Sequence, residues 1–324
     1  MPAVANSAPT DVTAIIVSYN TAHLLERCLN LLRASAGPLK LQISIVDNAS
    51  RDASVHLIRE RFGDCDFIAN ATNVGFGRAN NQMLATVRGR YVLLLNTDAF
   101  VEPETLQRTV DFMDKNPRCG VLGVRLEGRD HILQPSCRYF PTPWNSFLVR
   151  TGLDRVFTST RLVDDMAWNH ASPRECDWVP GCYYLVRREA IDEVGLFDPR
   201  FFLYYEEVDH CRAVKAAGWK VVFFPHTTVV HTGGESAKSD ARLTSSGGQI
   251  AELQVESELL YFRKHHGGIG VGSHVLLKVL GDLIIAAKSL LGRRTGASFS
   301  LRWQEWMIWL KLLRRTRWGL QPTR

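Results

Sequence analysis

The sequence predicts an α/β fold built on a parallel β-sheet, and three observations support this prediction. Short apolar runs rich in β-branched residues alternate with segments whose apolar residues recur at helical spacing. The apolar runs are nearly continuous, as in strands that helices cover on both faces. Polar or acidic clusters directly follow three runs, within Ile43–Ser50, Tyr91–Phe100 and Phe201–His210. Because ligands of such folds bind outside the carboxyl ends of the strands, the clusters predict a shared crevice for a phosphorylated ligand with a metal.

The elements follow in chain order from their period and length. Strands are predicted at Thr13–Tyr19, Leu41–Val46, Cys65–Ile68 and Tyr91–Leu95. Helices are predicted at Ala22–Ala34, Ala53–Phe62, Arg78–Val87 and Glu102–Lys115, where Pro103 suits a first helical turn. Residues 120–180 carry five prolines and weak periodicity, which indicates a long excursion of loop and helix. Regular structure is expected again at Cys182–Arg187, Glu189–Val194, Lys220–Phe224 and, as a helix, Glu252–His265.

Length and cysteine usage limit the class of protein. A chain of 324 residues fits one large or two modest domains. Its seven cysteines are scattered without a Cys-x-x-Cys pair, which argues against a zinc ribbon and favours reduced thiols in the cytosol. Residues 1–10 lack the basic start and apolar core of a signal peptide and are expected to be a flexible lead-in. A main domain is predicted over residues 11–266, followed by a basic, amphipathic helical tail over residues 267–324.

The tail differs from the main domain in charge and in composition. Residues 261–324 hold twelve basic and two acidic residues, a net charge of +10, so residues 1–260 carry −4. Two amphipathic helical segments there contain four of the eight tryptophans, a composition that favours a membrane interface. Lys278, Asp282 and Lys288 argue against a membrane span. A hairpin packed on the body or on a second copy of the chain is the alternative. Nucleic acid is not expected, because the tryptophans alternate with leucines at helical spacing.

Seven short motifs carry a resemblance to a known family. They are VSYN from Val17, VDNASRD from Val46, NVGFGRANN from Asn73, LLLNTDAF from Leu93, GLFDPRFF from Gly195, YYEEVDHC from Tyr204 and VVHTGG from Val229. In this order and spacing, over Thr13–His266, the chain resembles glycosyltransferase family 2, and more closely its bacterial rhamnosyltransferase-like branch. The resemblance implies a GT-A fold, a Rossmann-like nucleotide-diphospho-sugar transferase fold. It also implies inverting transfer of a sugar, with deoxythymidine diphosphate (dTDP) rhamnose as the leading donor.

The expected place of action follows from the resemblance and the tail together. The acceptor is expected to be a lipid-linked saccharide of cell-envelope polysaccharide synthesis. The protein is then expected to be cytoplasmic and peripheral on the inner face of the cell membrane. The oligomeric state is open, and a homo-oligomer is possible.

Several residues are expected to bind the nucleotide. Asp47 ends a strand, and its carboxylate can accept a hydrogen bond from a pyrimidine imide; in the family this position reads the base. The remaining nucleotide candidates are Ser18, Tyr19, Asn20, Asn73, Gly75, Arg78, Asn81 and Asn96. Gly75 precedes a helix, which favours close backbone approach to a ligand. Arg78 can neutralise phosphate, and Asn81 can hydrogen-bond the ligand. An Asx turn or helix cap is the alternative role for the cluster after Asp47.

A divalent cation, Mg²⁺ or Mn²⁺, is the expected cofactor. Asp98 is the first candidate ligand, because a carboxylate-held cation can neutralise a leaving diphosphate. The family often has Asp where Asn96 stands, so this chain has fewer acidic ligands there. The resemblance assigns His231 to the metal as well, with His226 as a rival.

The acceptor side centres on the Glu206–Glu207 pair. The family's second acid at this place is the general base, which carries over to Glu207. Adjacent side chains on a helix do not share a face, so Glu206 is expected to orient the sugar or a neighbour. Gly181 is expected to let the backbone approach the sugar, and Trp178 to stack on a sugar or to lie in the core.

Two other classes of function remain open at this point. A nucleotidyltransferase would normally show a glycine-rich, basic loop after the first strand, which Val17–Glu26 lacks. A non-catalytic nucleotide- or sugar-binding protein of the same fold has no need of an acid at Glu207. Within the transferases, a uridine diphosphate (UDP) sugar is the alternative donor.

Overall fold

The structure is a computed structural model, and it describes residues 10–233, 248–290 and 299–324. The predicted lead-in at 1–9 and Gly234 of the VVHTGG motif lie outside the described residues. A single mixed β-sheet organises the chain, with the strand order β3-β2-β1-β4-β9-β6-β10-β5. The strands are β1 (Val12–Ser18), β2 (Leu41–Asp47), β3 (Asp66–Ala69), β4 (Tyr91–Leu95), β5 (Ala99–Val101), β6 (Cys119–Glu127), β7 (Leu133–Gln134), β8 (Arg174–Cys176), β9 (Tyr183–Arg187) and β10 (Lys220–His231).

The helices cover both faces of this sheet. They are α1 (Ala22–Ser35), α2 (Ser54–Arg61), α3 (Phe76–Gln82), α4 (Thr105–Lys115), α5 (Pro143–Thr151), α6 (Arg188–Val194), α7 (Glu206–Ala216), α8 (Gly248–Leu290) and α9 (Phe299–Arg315). Neighbouring residues of β1 show the two-sided burial, because Ile15 belongs to one apolar cluster and Ala14 and Ile16 belong to the other. The predicted helix at Arg78–Val87 is shorter and starts earlier, since α3 ends at Gln82 and a 3₁₀ turn follows.

The prediction of a purely parallel sheet is wrong for half of the sheet. β3, β2, β1 and β4 are parallel, but β9 runs antiparallel to both β4 and β6, and β5 runs antiparallel to β10. Apolar runs indicate burial but not strand direction, so the sequence pattern cannot report this reversal. β10 is also longer than predicted, and a bulge between Phe224 and Thr228 joins the two apolar runs into one strand.

The tail belongs to the same core as the main domain. Leu259 and Phe262 in α8 and Trp309 and Leu312 in α9 lie in the apolar cluster that also contains Ile15 of β1. α8 crosses the predicted boundary between residues 266 and 267, and its helical path is interrupted there by Gly267, with φ 65° and ψ −167°. The predicted boundary therefore marks a break within α8, while both of its halves contribute to the core.

The length and composition of α8 bear on the predicted absence of a membrane span. Within the described residues, the segment Ile250–Ser289 is long and apolar enough to cross a membrane by these two criteria, with a mean hydropathy of 1.7 in its best window. The charges at Lys278, Asp282 and Lys288 therefore do not exclude a span by composition, contrary to the expectation. Only 22% of that window is buried inside the protein.

Candidate active site

One edge of the sheet collects the polar clusters, as the sequence predicts. β1, β2 and β4 end there at Ser18, Asp47 and Leu95, and β10 ends there at His231. β9 begins at the same edge, because its Tyr183 pairs with Leu95 in the antiparallel register. The Asn96 backbone N–H donates to the Cys182 carbonyl oxygen at 3.0 Å, which ties the segment after β4 to the segment before β9.

Asp98 and His231 meet through the pairing of two strands. In the register of β5 with β10, His231 lies opposite Ala99, the residue after Asp98. The His231 Nε2 atom is 3.5 Å from Asp98 Oδ1, and the Thr232 backbone N–H donates to the Asp98 carbonyl oxygen at 3.0 Å. Asp98 is 5% exposed. The two predicted metal ligands are therefore neighbours, although they lie far apart in sequence.

Gln134 fixes the orientation of the His231 ring. Its amide nitrogen donates to the His231 carbonyl oxygen at 2.9 Å, and its Oε1 lies 3.0 Å from His231 Nδ1. A carbonyl oxygen can only accept, so the amide orientation is determined and Oε1 must accept a proton from Nδ1. In the neutral imidazole, Nε2 then presents its lone pair towards Asp98. This arrangement suits a cation held between an imidazole nitrogen and a carboxylate.

Two strained residues introduce the helix that carries the acidic pair. Tyr204 and Tyr205 have φ values of 71° and 68°, and non-glycine residues are uncommon in this left-handed region. α7 begins directly afterwards with Glu206 and Glu207. Such strain is often found at functional sites, where the surrounding structure maintains it.

Both glutamates place a carboxylate oxygen in a buried position. Glu206 Oε2 and Glu207 Oε2 are buried and have no hydrogen-bond partner in the protein. Burial raises the pKa of Glu206 well above the ordinary glutamate value, and the neighbouring Glu207 raises it further. Burial also raises the pKa of Glu207, while the nearby Arg138 opposes this effect. A carboxyl with a raised pKa is a stronger base once it is ionised.

Cys182 connects the two halves of the predicted site. Burial raises the pKa of its thiol, and the carboxylates of Asp98 and Glu207 both add to that effect. Gly181 lies beside Glu207, since a Cβ atom placed on this glycine would be 3.9 Å from Glu207 Cβ. Asp98 and Glu207 therefore both lie near the same short segment before β9. This placement is what a shared crevice requires.

The Asp47 carboxylate is partly satisfied by its own turn. Asp47 is 1% exposed, and its Oδ1 accepts from the Ser50 backbone N–H at 2.9 Å, as in an Asx turn. Its Oδ2 is buried without a hydrogen-bond partner, and burial raises its pKa. The turn explains one oxygen and leaves the other for a ligand, so the two roles weighed from the sequence are compatible.

The other nucleotide candidates at this sheet edge are buried or half-buried. Ser18 is buried, and its hydroxyl contacts that of Thr21 at 3.2 Å, while Tyr19 is half-buried. Asn20 has a φ of 53°, and its Oδ1 accepts from the Arg51 backbone N–H at 2.7 Å. Asn20 therefore joins the turn after β1 to the turn after β2. Asn96 remains half-buried at the edge.

The segment from Asn73 to Asn81 has a different role from the predicted one. Asn73 Oδ1 accepts from the side chain of Asn48 at 2.8 Å and from the Gly75 backbone N–H at 2.9 Å. Gly75 has a φ of 89°, and a Cβ atom there would lie 2.4 Å from the Phe202 carbonyl oxygen. The close approach that requires glycine is thus to Phe202, in the segment leading to α7, rather than to a ligand.

Arg78 and Asn81 also bind the protein itself. Arg78 donates from Nε to the Pro199 carbonyl oxygen at 2.7 Å and from Nη2 to the Arg324 carbonyl oxygen at 3.1 Å. Asn81 exchanges two hydrogen bonds with the backbone of Phe197. These two bonds hold the Asn81 side chain against the loop, so we assign it a positioning role. Together these bonds hold the loop before α7 against α3.

Trp178 lies in the core. It is 5% exposed, and its Nε1–H donates to the Tyr139 carbonyl oxygen at 2.9 Å. The Arg138 guanidinium lies over its ring at 4.1 Å and also binds Asp164 at 2.6 Å. Because one face of the ring is occupied by Arg138, the core alternative fits Trp178 better than stacking on a sugar.

Asp209, in the first turn of α7, connects this helix to the tail. Its two carboxylate oxygens bind Lys264 at 2.7 Å and His265 at 2.6 Å, both in α8. The helix that carries Glu206 and Glu207 is therefore held against the tail.

The sequence reasoning missed Gln134 and Arg138. Both lie in residues 120–180, where proline-rich, aperiodic sequence gives no signal that singles out a polar residue. Gln134 reaches His231 because β7 pairs with β6, which in turn pairs with β10. A motif search over separate segments cannot detect a partner that lies 97 positions away.

Comparison with known proteins identifies the family. Residues 13–170 match the model of the glycosyl transferase family 2. The chain contains a glycosyltransferase family 2 domain. It is 29% identical over 252 residues to the N-acetylglucosaminyl-diphospho-decaprenol L-rhamnosyltransferase of Mycobacterium tuberculosis, covering 71% of this chain and 79% of that protein. It is 25% identical over 228 residues to the rhamnosyltransferase WbbL of Escherichia coli, covering 68% and 83%.

Solved structures show the same fold for this family 2 chain. The mannosyltransferase PcManGT from Pyrobaculum calidifontis, in complex with GDP-Man and Mn²⁺, matches with a TM-score of 0.56 at 17% identity, covering 97% of this chain and 86% of that chain. GalNAc-T7 with UDP, GalNAc and Mn²⁺ matches with a TM-score of 0.52 at 16% identity, covering 81% and 55%. The expected GT-A fold is confirmed.

Within the described ranges, no group of three or more His, Cys, Asp or Glu side chains is arranged to hold a metal ion. The Asp98–His231 pair offers two ligands, and a bound diphosphate can supply others, as Mg²⁺ sites in transferases commonly require.

Proposed function

We propose that this family 2 chain is an inverting, metal-dependent glycosyltransferase that moves a sugar from a nucleotide-sugar to an acceptor hydroxyl. The observation that carries the proposal is that Asp98, which neighbours His231, and Glu207 both lie near the short Gly181–Cys182 segment before β9. Two relatives are named as rhamnosyltransferases, and one name includes a diphospho-decaprenol substrate. We therefore propose dTDP-rhamnose as the donor and a lipid-linked saccharide as the acceptor, in cell-envelope polysaccharide synthesis.

The proposed mechanism follows from the positions of the polar groups. Asp47 Oδ2 accepts from the base of the nucleotide, since it is the oxygen left without a partner in the protein. Glu207 takes the proton of the acceptor hydroxyl as its oxygen attacks the anomeric carbon, and the bond from that carbon to the diphosphate breaks on the opposite side. One displacement of this kind inverts the anomeric configuration. The nucleoside diphosphate leaves with the electron pair.

Asp98 and His231 fit a divalent cation of the kind found in the two solved relatives. The Gln134 amide directs the lone pair of His231 Nε2 towards the Asp98 carboxylate, so these two side chains would hold such a cation. When bound, the cation would supply positive charge that stabilises the leaving diphosphate. Asn96 adds no negative charge to this pair.

The tail supports a proposed place of action at a membrane surface. Leu276, Leu280 and Leu283 form an exposed stripe on α8, and Trp303, Met307 and Leu310 form one on α9. Both stripes have i, i+4, i+7 spacing, so each presents one apolar helix face. Arg314, Arg315 and Arg317 are exposed beyond the α9 stripe. This combination favours an anionic lipid surface on the cytoplasmic side of the cell membrane.

A panel of nucleotide-sugars tests the transfer reaction. Purified protein is mixed with a membrane extract and dTDP-rhamnose, UDP-glucose, UDP-N-acetylglucosamine or GDP-mannose, with and without a chelator. We expect release of the nucleoside diphosphate from dTDP-rhamnose, loss of the reaction on chelation, and an inverted anomeric centre in the product. A UDP-sugar as the preferred donor would replace the rhamnosyl assignment. Nucleotide binding without transfer of any sugar would favour a non-catalytic protein.

Vesicle sedimentation tests the membrane surface. Replacing Arg314, Arg315 and Arg317 by Gln should weaken binding to anionic phospholipid vesicles by about 3 kcal/mol, roughly 1 kcal/mol for each arginine. The matched control replaces the exposed Arg51, Arg59 and Lys115 of the main domain by Gln. Equal binding by both triple variants would contradict the proposal, and resistance to alkaline extraction would indicate a spanning α8. A dimer that hides both stripes would identify a second copy as the partner.

A further inference from the structure

A cavity lies between α5 and the tail helices α8 and α9. Its volume is about 340 Å³, and α5, both halves of α8, and α9 contribute to its lining. Phe147 and Trp309 supply aromatic surface, while His274, Glu258 and Glu305 supply polar groups. Asp98, His231, Glu206 and Glu207 are not among the lining residues, so the cavity is separate from the crevice described above.

His274 lines this cavity, and one of its ring nitrogens is buried without a partner. The residue is 6% exposed, and its ring stacks on Phe262 with centroids 4.2 Å apart. Its Nε2 lies 3.1 Å from Glu258 Oε1, and a carboxylate only accepts, so Nε2 carries the proton. Nδ1 is buried without a hydrogen-bond partner, and in the neutral ring it is an acceptor. An unmet buried acceptor is costly, which favours a ligand that donates a hydrogen bond.

The charges around the cavity favour a neutral ligand. Lys278 Nζ binds Glu305 Oε1 at 2.6 Å, and Arg150 binds Asp282 through Nε at 3.0 Å. These cations therefore have carboxylate partners, and a phosphate would have to displace them. Glu258 and Glu305 instead offer further acceptors for hydroxyl groups. Hydroxyl donors combined with an apolar face that packs on aromatic rings are the chemistry of a sugar.

The cavity adjoins the helix that carries Glu207. The Tyr205 ring packs on the Tyr261 ring with centroids 5.2 Å apart, and Tyr261 lies one turn after Glu258 on α8. Asp209 of α7 also binds Lys264 of α8. The same stretch of α8 thus forms part of the cavity wall and supports the proposed base.

We propose that this cavity is a saccharide subsite that holds a sugar unit of the acceptor, with a hydroxyl donating to His274 Nδ1 and an apolar sugar face against Trp309 or Phe147. The inference rests on the proposed function, because it assigns the sugar to the acceptor. The inference specifies that the acceptor carries a hydroxyl-rich, uncharged sugar unit, which binds between α5, α8 and α9.

Binding of simple glycosides to the full chain tests the subsite. Saturation-transfer nuclear magnetic resonance is recorded with the methyl glycosides of N-acetylglucosamine, rhamnose, glucose and galactose, and with inorganic pyrophosphate as a competitor. The Ala251→Trp variant fills the cavity from its wall, and Ala286→Trp makes the same change at an exposed position of α8 outside it. We expect at least one glycoside to bind, Ala251→Trp to weaken it more than tenfold, and Ala286→Trp to leave it unchanged.

A second variant tests the hydrogen bond. His274→Phe keeps the ring stacked on Phe262 and removes Nδ1, and we expect roughly tenfold weaker glycoside binding. Unchanged thermal unfolding and unchanged nucleoside diphosphate binding show that each variant is folded. Glycoside binding that survives Ala251→Trp would overturn the inference, as would displacement of the glycoside by pyrophosphate.

The test of the saccharide subsite can fail without the proposed transferase function failing, and the reverse also holds. A wild-type protein that transfers sugar but binds none of the glycosides refutes the subsite and leaves the transferase standing. Glycoside binding that depends on Ala251, in a protein that consumes no nucleotide-sugar, supports the saccharide site and refutes the transferase.

Discussion

The crevice at the sheet edge and the helical tail both contain acidic side chains, but the tail pairs its half-buried acids with basic side chains. In the crevice, Asp47, Glu206 and Glu207 each keep one buried oxygen without a hydrogen bond. In the tail, Asp282 and Glu305 bind Arg150 and Lys278. Unsatisfied buried groups are expensive and are usually retained for ligands or chemistry, whereas paired ones support structure. The comparison therefore separates residues kept for function from residues kept for stability.

The largest expected effect separates activity from stability at Glu207. Glu207→Gln keeps the shape of the side chain but removes the proton acceptor, so kcat should fall about 10²–10⁴-fold. Thermal stability should not fall and nucleoside diphosphate binding should be unchanged, because Glu207 Oε2 has no partner to lose. The control is Glu189→Gln, an exposed acid in α6. Full activity in Glu207→Gln would remove the proposed base.

The tail should show the opposite behaviour. Lys278→Met deprives Glu305 of a 2.6 Å charged hydrogen bond and should lower the free energy of unfolding by about 1.5–3 kcal/mol. Urea titration measures the change, and Lys115→Met, at an exposed lysine of α4, is the control. Donor binding should remain intact. If Lys278→Met left stability unchanged but weakened the donor, the division between the two regions would be wrong.

A smaller effect is expected for the residue that orients His231. Gln134→Leu removes the acceptor at Nδ1, and the loss of such an outer-shell partner typically weakens metal binding about 10–100-fold. Mn²⁺ titration in the presence of a nucleoside diphosphate gives the dissociation constant. The Gln107→Leu variant in α4 is the control. Unchanged Mn²⁺ affinity would separate Gln134 from any metal site.

The smallest expected effect is a pH dependence of stability that arises from Glu206 in the crevice. Burial raises the pKa of Glu206 above the ordinary value of 4.5, so the folded state holds this proton more tightly than the unfolded chain. The resulting stability is fully present below about pH 4.5 and is lost as the pH rises through the folded pKa. Glu206→Gln cannot ionise, so its melting temperature should exceed that of the wild type increasingly towards neutral pH. Parallel pH profiles for the two proteins would show that Glu206 has a partner or is hydrated.

The sequence predicts the edge of the sheet well because motif residues there follow strands directly. Asp47 and Asp98 occupy the expected ends, and His231 joins Asp98 as the resemblance implies. The pairing of β5 with β10, which creates that contact, is not visible in the sequence, because a strand of three residues has no measurable period.

The incorrect expectations share a physical cause. Gly75 reads as a residue near a ligand, but the backbone that approaches it belongs to Phe202, more than 120 positions further along the chain. Asn81 reads as a ligand residue, but its side chain exchanges hydrogen bonds with the backbone of Phe197. A polar residue near a motif looks the same in sequence whether its partner is a substrate or a distant part of the backbone.

The two tyrosines before α7 have a consequence for the adaptation of this enzyme. Each occupies a left-handed conformation that costs a non-glycine residue roughly 1–2 kcal/mol, and glycine would relax it. Glycine would also remove the Tyr205 ring from Tyr261 and free the segment that aims Glu207. Because truncation of a packed aromatic ring typically costs about 3–5 kcal/mol, glycine at Tyr205 would lose more stability than the relaxed backbone returns. Selection for heat resistance and selection for turnover therefore both keep a tyrosine at this position.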